Sequence, residues 1–354
     1  MKDPTVIIMV LFIIKNCLCR VESHFLKRSL FCTTVWNANT GETDYPLKHD
    51  DSLISQSSKK CVKVAFIGLP NVGKSTLINQ LTRRSICPAS AKVHTTMHKA
   101  EVVYTEDDTQ IIFMDTPGLV TRNEIKKYKL VETFTEDPIV SIKEADVIGI
   151  IQDVTNVYTR HKINNFVKDY LENKREDTPL ILVFNKIDRI NKKSVLLELT
   201  KLLTNPENSP KFDDIFMISA LTGDGIDDLR NYLLDSAKVQ EWKYEKDCNT
   251  DQTVENIIQE TVRAKLMDVL PAEMPFNIKL QMEHFDYTED DGIQCTLALN
   301  CPKPNYMKTL LTHKGEKIKH IAFHVEKELR NAFRKPVIVR LSVQCDKKKR
   351  TTIN

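Results

Sequence analysis

The stretch GLPNVGKST, residues 68–76, follows the apolar run VAFI at 64–67. It fits the pattern G-x-x-x-x-G-K-[ST], with Gly68, Gly73, Lys74 and Ser75 at the fixed positions. An apolar strand leads in, and KSTLINQLTRR reads as the helix leading out. Glycines at those two places let backbone N–H groups turn inward around a phosphate. Lys74 brings charge to the outer phosphates and Ser75 offers a hydroxyl to Mg2+. The helix N-terminus points its positive end at the anion. Leu69, Pro70, Asn71, Val72 and Thr76 complete the expected cradle. A short match of this kind also arises from an ordinary strand-to-helix turn, so its companions decide its meaning.

IIFMDTPGL (111–119) places Asp115 at the end of a buried apolar run. In a doubly wound sheet that end faces the ligand. Asp115 is expected to hold Mg2+ through water, and the Gly118 N–H to meet the γ-phosphate. Thr116, Pro117 and Leu119 form the rest of that wall. LILVFNKID (180–188) decides the base. It delivers Asn185, Lys186, Ile187 and Asp188 at a strand end. The Asp188 carboxylate only accepts hydrogen bonds. Guanine offers it two donors, the ring N1–H and the exocyclic amine, whereas adenine presents an acceptor there. A buried carboxylate facing acceptors is costly, so adenine is rejected. Lys186 can lie over the base. In MISALTG (217–223), the Ser219–Ala220 backbone is expected to bond the guanine carbonyl. Four segments in this order specify GTP as the nucleotide and GDP as its product. They imply an α/β fold with a doubly wound, mostly parallel sheet.

Between the first two segments lies CPASAKVHTTMHKAEVV (87–103), polar and without period. That suits a loop ordered by GTP and released after hydrolysis. A GTPase needs a threonine here to complete Mg2+ and sense the γ-phosphate. Thr95 and Thr96 are the candidates, and Thr96 is the choice. Lys74, Thr96 and Gly118 are thus the expected catalytic set; Ser75, Thr96 and Asp115 are the expected Mg2+ set.

With GLPNVGKSTLINQL, HTTMHKAEVV, DTPGL, NKID and SAL in hand, the sequence resembles the Era family of GTPases, in particular its mitochondrial members, over about residues 63–347. The family's switch threonine precedes a basic residue and matches Thr96; Met97 stands where the family carries arginine. Where Ras-like proteins carry a water-orienting glutamine, this chain has Leu119, so unaided hydrolysis is expected to be slow. Asn71 matches the asparagine by which related GTPases hold K+ near the phosphates. By resemblance, K+ there supplies the charge that an arginine finger supplies elsewhere.

DDLRNYLLDSA reads as the amphipathic helix closing a GTPase domain at 61–238, and residues 239–253 read as a polar linker. A new unit spans 254–347: a helix, a strand near FNIKLQME, an acidic turn DYTEDDG, a strand IQCTLALN, a short helix, the turn THKG, a long helix and the strand PVIVRLSV. This order looks like an α+β type II KH domain, the RNA-binding module that follows the GTPase domain in Era. A KH domain clamps single-stranded nucleotides against a GXXG turn. Here the turn is Thr312, His313, Lys314 and Gly315, with threonine for the first glycine. Lys314, Lys317 and Lys319 offer phosphate contacts. From residue 303 to 350 there are 14 Lys and Arg against 4 Asp and Glu, an excess of +10 in a chain whose net charge is only +3. That local excess favours a polyanion. The last residues, 348–354, read as a basic tail.

Residues 1–60 differ in kind. VIIMVLFII (6–14) is too short to span a bilayer, and Asp3 spoils the basic start of a secretory signal. HFLKRSLFCTT (24–34) is basic and poor in acids, as in an organelle transit peptide, and 36–60 read as a disordered linker. Met9 as the start would remove Asp3. Nine scattered cysteines show no zinc-site spacing and no disulfide framework, which argues against secretion. The expected location is the mitochondrial matrix, with the cytoplasm as alternative. The resemblance implies small ribosomal subunit assembly, with the 3′ region of small-subunit ribosomal RNA as partner and a peripheral association with the inner membrane. No DNA partner is expected. A second reading stays open: a GTP-dependent switch whose degenerate KH fold, marked by Thr312, binds a protein. A tRNA-modifying GTPase would need a cofactor-binding domain for which no length is left over.

Overall fold

The computed structural model describes residues 59–90, 99–116, 118–119, 133–205, 209–271 and 274–345. The leader, the threonines at 95 and 96, Met97, Pro117 and the basic tail lie outside them, as does the side chain of His313.

β1 (Lys60–Ile67) is buried along nearly its whole length, which is why it reads as a continuous apolar run. It feeds α1 (Lys74–Thr82), followed by the hairpin β2 (Ala100–Glu106) and β3 (Thr109–Asp115). Then come α2 (Thr133–Glu144), β4 (Val147–Asp153), α3 (Asn165–Leu171), β5 (Leu180–Asn185), α4 (Ser194–Leu203), β6 (Asp214–Met217), α5 (Ile226–Asp235) and the short β7 (Lys238–Val239). The sheet order is β2-β3-β1-β4-β5-β6, with β7 added against the start of β1. β2 runs antiparallel to β3, and the other strands on the path pair in parallel. This is the expected doubly wound, mostly parallel sheet. Phe66, Leu77, Leu81 and Leu229 fill one apolar layer, and Ile67, Ile148, Leu182 and Phe184 the other.

Residues 239–253 connect this unit to the next, but they do not hang free. Trp242 Nε1 donates to the carbonyls of Lys60 and Asp108, and Val103 N donates to Asn249 O. Buried Glu101 accepts from Lys243 Nζ and Tyr244 Oη, each at 2.6 Å. The segment is a strap along the β2–β3 edge. Its polar side chains serve those bonds, so its composition imitates a linker.

The second unit starts at α6 (Val254–Val269), capped by the Thr253 side chain accepting from Asn256 N. The turn α7 (Met274–Asn277) leads to β8 (Lys279–Tyr287) and β9 (Ile293–Cys301). α8 (Pro304–Leu310) and α9 (Thr312–Phe333) follow, and β10 (Val337–Cys345) closes the sheet in the order β10-β9-β8. β10 is parallel to β9 and β8 antiparallel to it. Buried Ile321, Val325 and Leu329 form the stripe by which α9 packs onto this unit's core, together with Ile258 and Val262 of α6. The element order is that expected of an α+β type II KH domain. Among the described residues, no helix is long and apolar enough to cross a membrane.

The two units are bonded where helices end. Arg334 Nη2 donates to Arg83 O, and Arg84 Nη1 to Ala332 O. Asn331 Oδ1 accepts from both Ser85 N and Ser85 Oγ. The end of α9 thus meets the end of α1, and the apolar clusters of the two units are continuous.

Candidate functional site

Ile67, Asp115, Asp153 and Asn185 end four neighbouring strands along one sheet edge. The loop 68–73 crosses that edge, and α1 begins at Lys74 with Gly73 as its N-cap at φ +100°. A Cβ on Gly73 would lie 2.4 Å from Asn185 Nδ2, so glycine is required both by the dihedral and by the space. A Cβ on Gly118 would meet Pro70 Cα at 3.1 Å and Lys74 Nζ at 3.3 Å. The wall holding Gly118 therefore approaches the loop closely enough to enclose a phosphate.

Lys74 is buried, and its Nζ donates to the carbonyls of Gly68 and Leu69, both at 3.2 Å. Burial pushes its ammonium down to about 8, while Asp115 pulls it back up. A cation so starved of solvent is poised for an anion. Ser75 Oγ lies 3.2 Å from Asp115 Oδ2, so hydroxyl and carboxylate converge as an Mg2+ pair requires. Glycines that leave no room for Cβ, a buried ammonium and this hard oxygen pair all fit a magnesium nucleotide. Cys87 is buried beside Asp115; burial first, then that carboxylate, pushes its thiol well up. Asn79 brackets the Cys87 backbone with two bonds, fixing where the loop toward Thr96 begins. Leu119 is buried in the second apolar layer, with its N–H on Gly68 O, so its side chain packs rather than reaching for water.

Asn185 joins three loops. Its Nδ2 donates to Val72 O at 2.7 Å, and its Oδ1 accepts from Lys186 N at 2.8 Å and Ala220 N at 3.0 Å. Lys186 sits at φ 68°, and its Nζ reaches Asn71 O at 2.7 Å and Asp153 Oδ2 at 2.6 Å. Burial pushes the Asp153 carboxyl up, but hydrogen bonds from Lys186 and Thr155 outweigh it and hold the pKa below the ordinary value. Asn71, at φ 60°, presents its carbonyl to this network. Asp188 Oδ1 accepts from Ser219 Oγ at 2.6 Å, which aims the carboxylate. Ile187 opens the short 3-10 turn carrying it. The Ala220 N–H is engaged by Asn185 and the Ser219 N–H by Asp224 O. The Ser219 hydroxyl, for its part, is bonded to Asp188. A cavity of about 690 Å³ runs from Asn71 and Thr76 past Asn185 and Asp188, a size suited to a nucleotide. Thr116 is buried beside Asp115.

Three contributors escape a reading by motif. Asp153 ends β4 as Asp115 ends β3, and that strand-end position was its signal. Ser90 and Asp268 had none: Ser90 Oγ donates to Asp268 Oδ1 at 2.6 Å across 178 residues. Both line the nucleotide cavity, so α6 of the second unit contributes to its wall.

At the start of α9, Thr312 does not take the left-handed conformation that would demand glycine. That falls on Lys314 at φ 54° and Gly315 at φ 83°. The Thr312 hydroxyl instead bonds the carbonyls of Thr309 and Lys308, closing the end of α8. The turn tolerates threonine for this reason. Lys314 and Lys319 are exposed and Lys317 is half-buried; none forms an ion pair among the described residues.

Residues 63–186 match the family described as 50S ribosome-binding GTPase. Mitochondrial GTPase Era from Salmo salar is 32% identical over 351 residues, covering 81% of this chain and 77% of that protein. A crystal structure of Era in complex with MgGDPNP and nucleotides 1506–1542 of 16S ribosomal RNA is 28% identical, with a TM-score of 0.66 over 81% of this chain and 94% of that one. A variant of Aquifex aeolicus Era bound to GDP·AlF4− is 27% identical, with a TM-score of 0.67 over the same shares.

Proposed function

This chain belongs to the Era family of GTPases, and from that premise we propose that it is a GTP-controlled RNA-binding factor for assembly of the small ribosomal subunit. It binds GTP and GDP with Mg2+ and hydrolyses GTP. The Asp188 carboxylate, aimed by Ser219, selects guanine. Lys74 leaves the carbonyls of Gly68 and Leu69 to pair with phosphate, which favours its charged form. Ser75, Asp115 and Thr96 would hold Mg2+, and Asn71 would hold K+. Bound there, they would supply positive charge to the transferring phosphoryl group. Thr96 and the Gly118 N–H sense the γ-phosphate. With Leu119 buried, no side chain at that position orients the attacking water, so hydrolysis is slow until a partner supplies what is missing.

The RNA is the 3′ region of mitochondrial small-subunit ribosomal RNA, gripped by Thr312, His313, Lys314, Gly315, Lys317 and Lys319. The compartment is the mitochondrial matrix, with any contact to the inner membrane peripheral. The Salmo salar relative and the Era complex with 16S ribosomal RNA support this reading. The observation that carries nucleotide control is the junction. The helix that starts at the basic turn ends bonded to the helix that starts at the phosphate loop. Thr312 is the feature that favours the alternative, a protein-binding switch; the left-handed positions falling on Lys314 and Gly315 support the RNA-binding reading.

The test is crosslinking and sequencing of RNA bound to the intact protein in cells, beside a Lys314→Glu, Lys317→Glu double variant. Wild type is expected to map to the 3′ end of mitochondrial small-subunit ribosomal RNA, and the variant to lose that signal. RNA at background level for wild type would overturn the reading.

A further inference from the structure

Midway along α9, Phe323 is 60% exposed. Phenylalanine is among the residues most often buried, so one standing in solvent on a well-packed helix invites a reason. The core stripe of this helix is Ile321, Val325 and Leu329, and Phe323 lies on the opposite face. At 3.6 residues per turn, Thr312, Lys319 and Lys327 fall within about 40° of Phe323. Lys319 and Lys327 flank the ring one turn to either side. Both are exposed, and neither forms an ion pair among the described residues. Glu316 is the acid on this stripe. The other acids of the helix are committed, Glu326 to Arg330 and Val339 N, and Glu328 to Lys265. His324 covers only an edge of the ring, in a T-shaped contact at 5.5 Å.

An aromatic face between two unpaired lysines suits single-stranded nucleic acid. The ring stacks a base of any identity, and the ammonium groups hold the phosphates on either side. A protein partner would need a broader apolar patch or acids set against these lysines. Phe323 sits about 12 Å along the helix axis from Gly315, on the stripe that starts at Thr312. A strand that leaves the turn along this stripe would pass over it.

We propose that Phe323 stacks an unpaired base of the RNA strand as it leaves the 312–315 turn, with Lys319 and Lys327 as its phosphate contacts. This rests on the RNA-binding reading above and extends the grip beyond the turn.

The test titrates the full chain with the ribosomal RNA segment equivalent to nucleotides 1506–1542 of 16S RNA, with duplex RNA as control. Phe323→Ala is expected to weaken binding about tenfold without changing the salt slope, since stacking carries no counterion. Phe323→Tyr should keep wild-type affinity. Phe323→Trp should show fluorescence quenching on RNA binding beyond any shown by Trp36 and Trp242 in the wild type. If Phe323→Ala stays within about twofold of wild type and Phe323→Trp is quenched no more than wild type while Lys314→Glu, Lys317→Glu loses binding, the stacking proposal fails and the RNA-binding reading stands. If Phe323→Ala weakens duplex equally, the ring is not reading unpaired bases and the proposal also fails. If wild type does not bind the segment at all, both fall.

Discussion

Asn185 is the residue whose loss should be felt in three loops at once. It is buried, and its amide orientation is dictated by its neighbours: two N–H groups face Oδ1 and one carbonyl faces Nδ2. Asn185→Ala leaves Val72 O, Lys186 N and Ala220 N without that partner. Each buried group so stranded costs about 1–3 kcal/mol, so a total of about 3–9 kcal/mol is expected. That is a large share of a stability of order 5–15 kcal/mol. Asn185→Asp tests the geometry more sharply. It sets a carboxylate oxygen against Val72 O, acceptor against acceptor, and near neutral pH it should be at least as harmful as alanine. Gly73→Ala should reproduce the defect from the other side, because its Cβ would displace the same amide. Urea unfolding midpoints with and without GDP and Mg2+, together with the GDP dissociation constant, read both parts of the loss. If Asn185→Ala costs under about 1 kcal/mol, or Asn185→Asp behaves as wild type, the network does not hold the site together in the way the structure indicates.

Two further outcomes follow from single carboxylates. Asp188→Asn should lower GDP affinity about 10²–10⁴-fold, the equivalent of two hydrogen bonds to a charged acceptor, and shift preference toward xanthosine nucleotides, whose C2 carbonyl can accept from the new amide; competition binding with both nucleotides measures this. Glu101→Gln should loosen the strap. Burial raises the Glu101 pKa, but bonds from Lys243 and Tyr244 outweigh it, leaving the folded value below the ordinary 4.5. A depressed carboxylate contributes stability above its unfolded pKa and loses it as pH falls through the folded value. The variant should therefore be less stable by about 1–2 kcal/mol near neutral pH, a figure discounted because Lys243 is 44% exposed, and the difference should vanish in acid; unfolding midpoints across that range decide it.

What could be read along the chain and what could not divide on physical grounds. The phosphate loop, the Asp115 strand end and the guanine-selecting run are each one strand and the turn that follows. Their chemistry lies in consecutive residues, and local geometry follows from local composition. The KH element order is legible for the same reason, since helical and alternating periods appear in sequence. Ser90 and Asp268 carry no such signature, because they are partners across 178 residues, and Asp153 shows only its strand-end position, because its partner Lys186 comes from the end of another strand. The strap at 239–253 looks like a linker because its polar groups find their partners across an edge strand. Thr312 in a glycine's place looks disruptive until the dihedrals show that only Lys314 and Gly315 turn left-handed. The sequence by itself determined the nucleotide and the two folds, since backbone turns and donor patterns are written in short runs. Only the tertiary structure decided how the two units meet, because α1 and α9 are joined at their ends by side chains and carbonyls that no local pattern brings together.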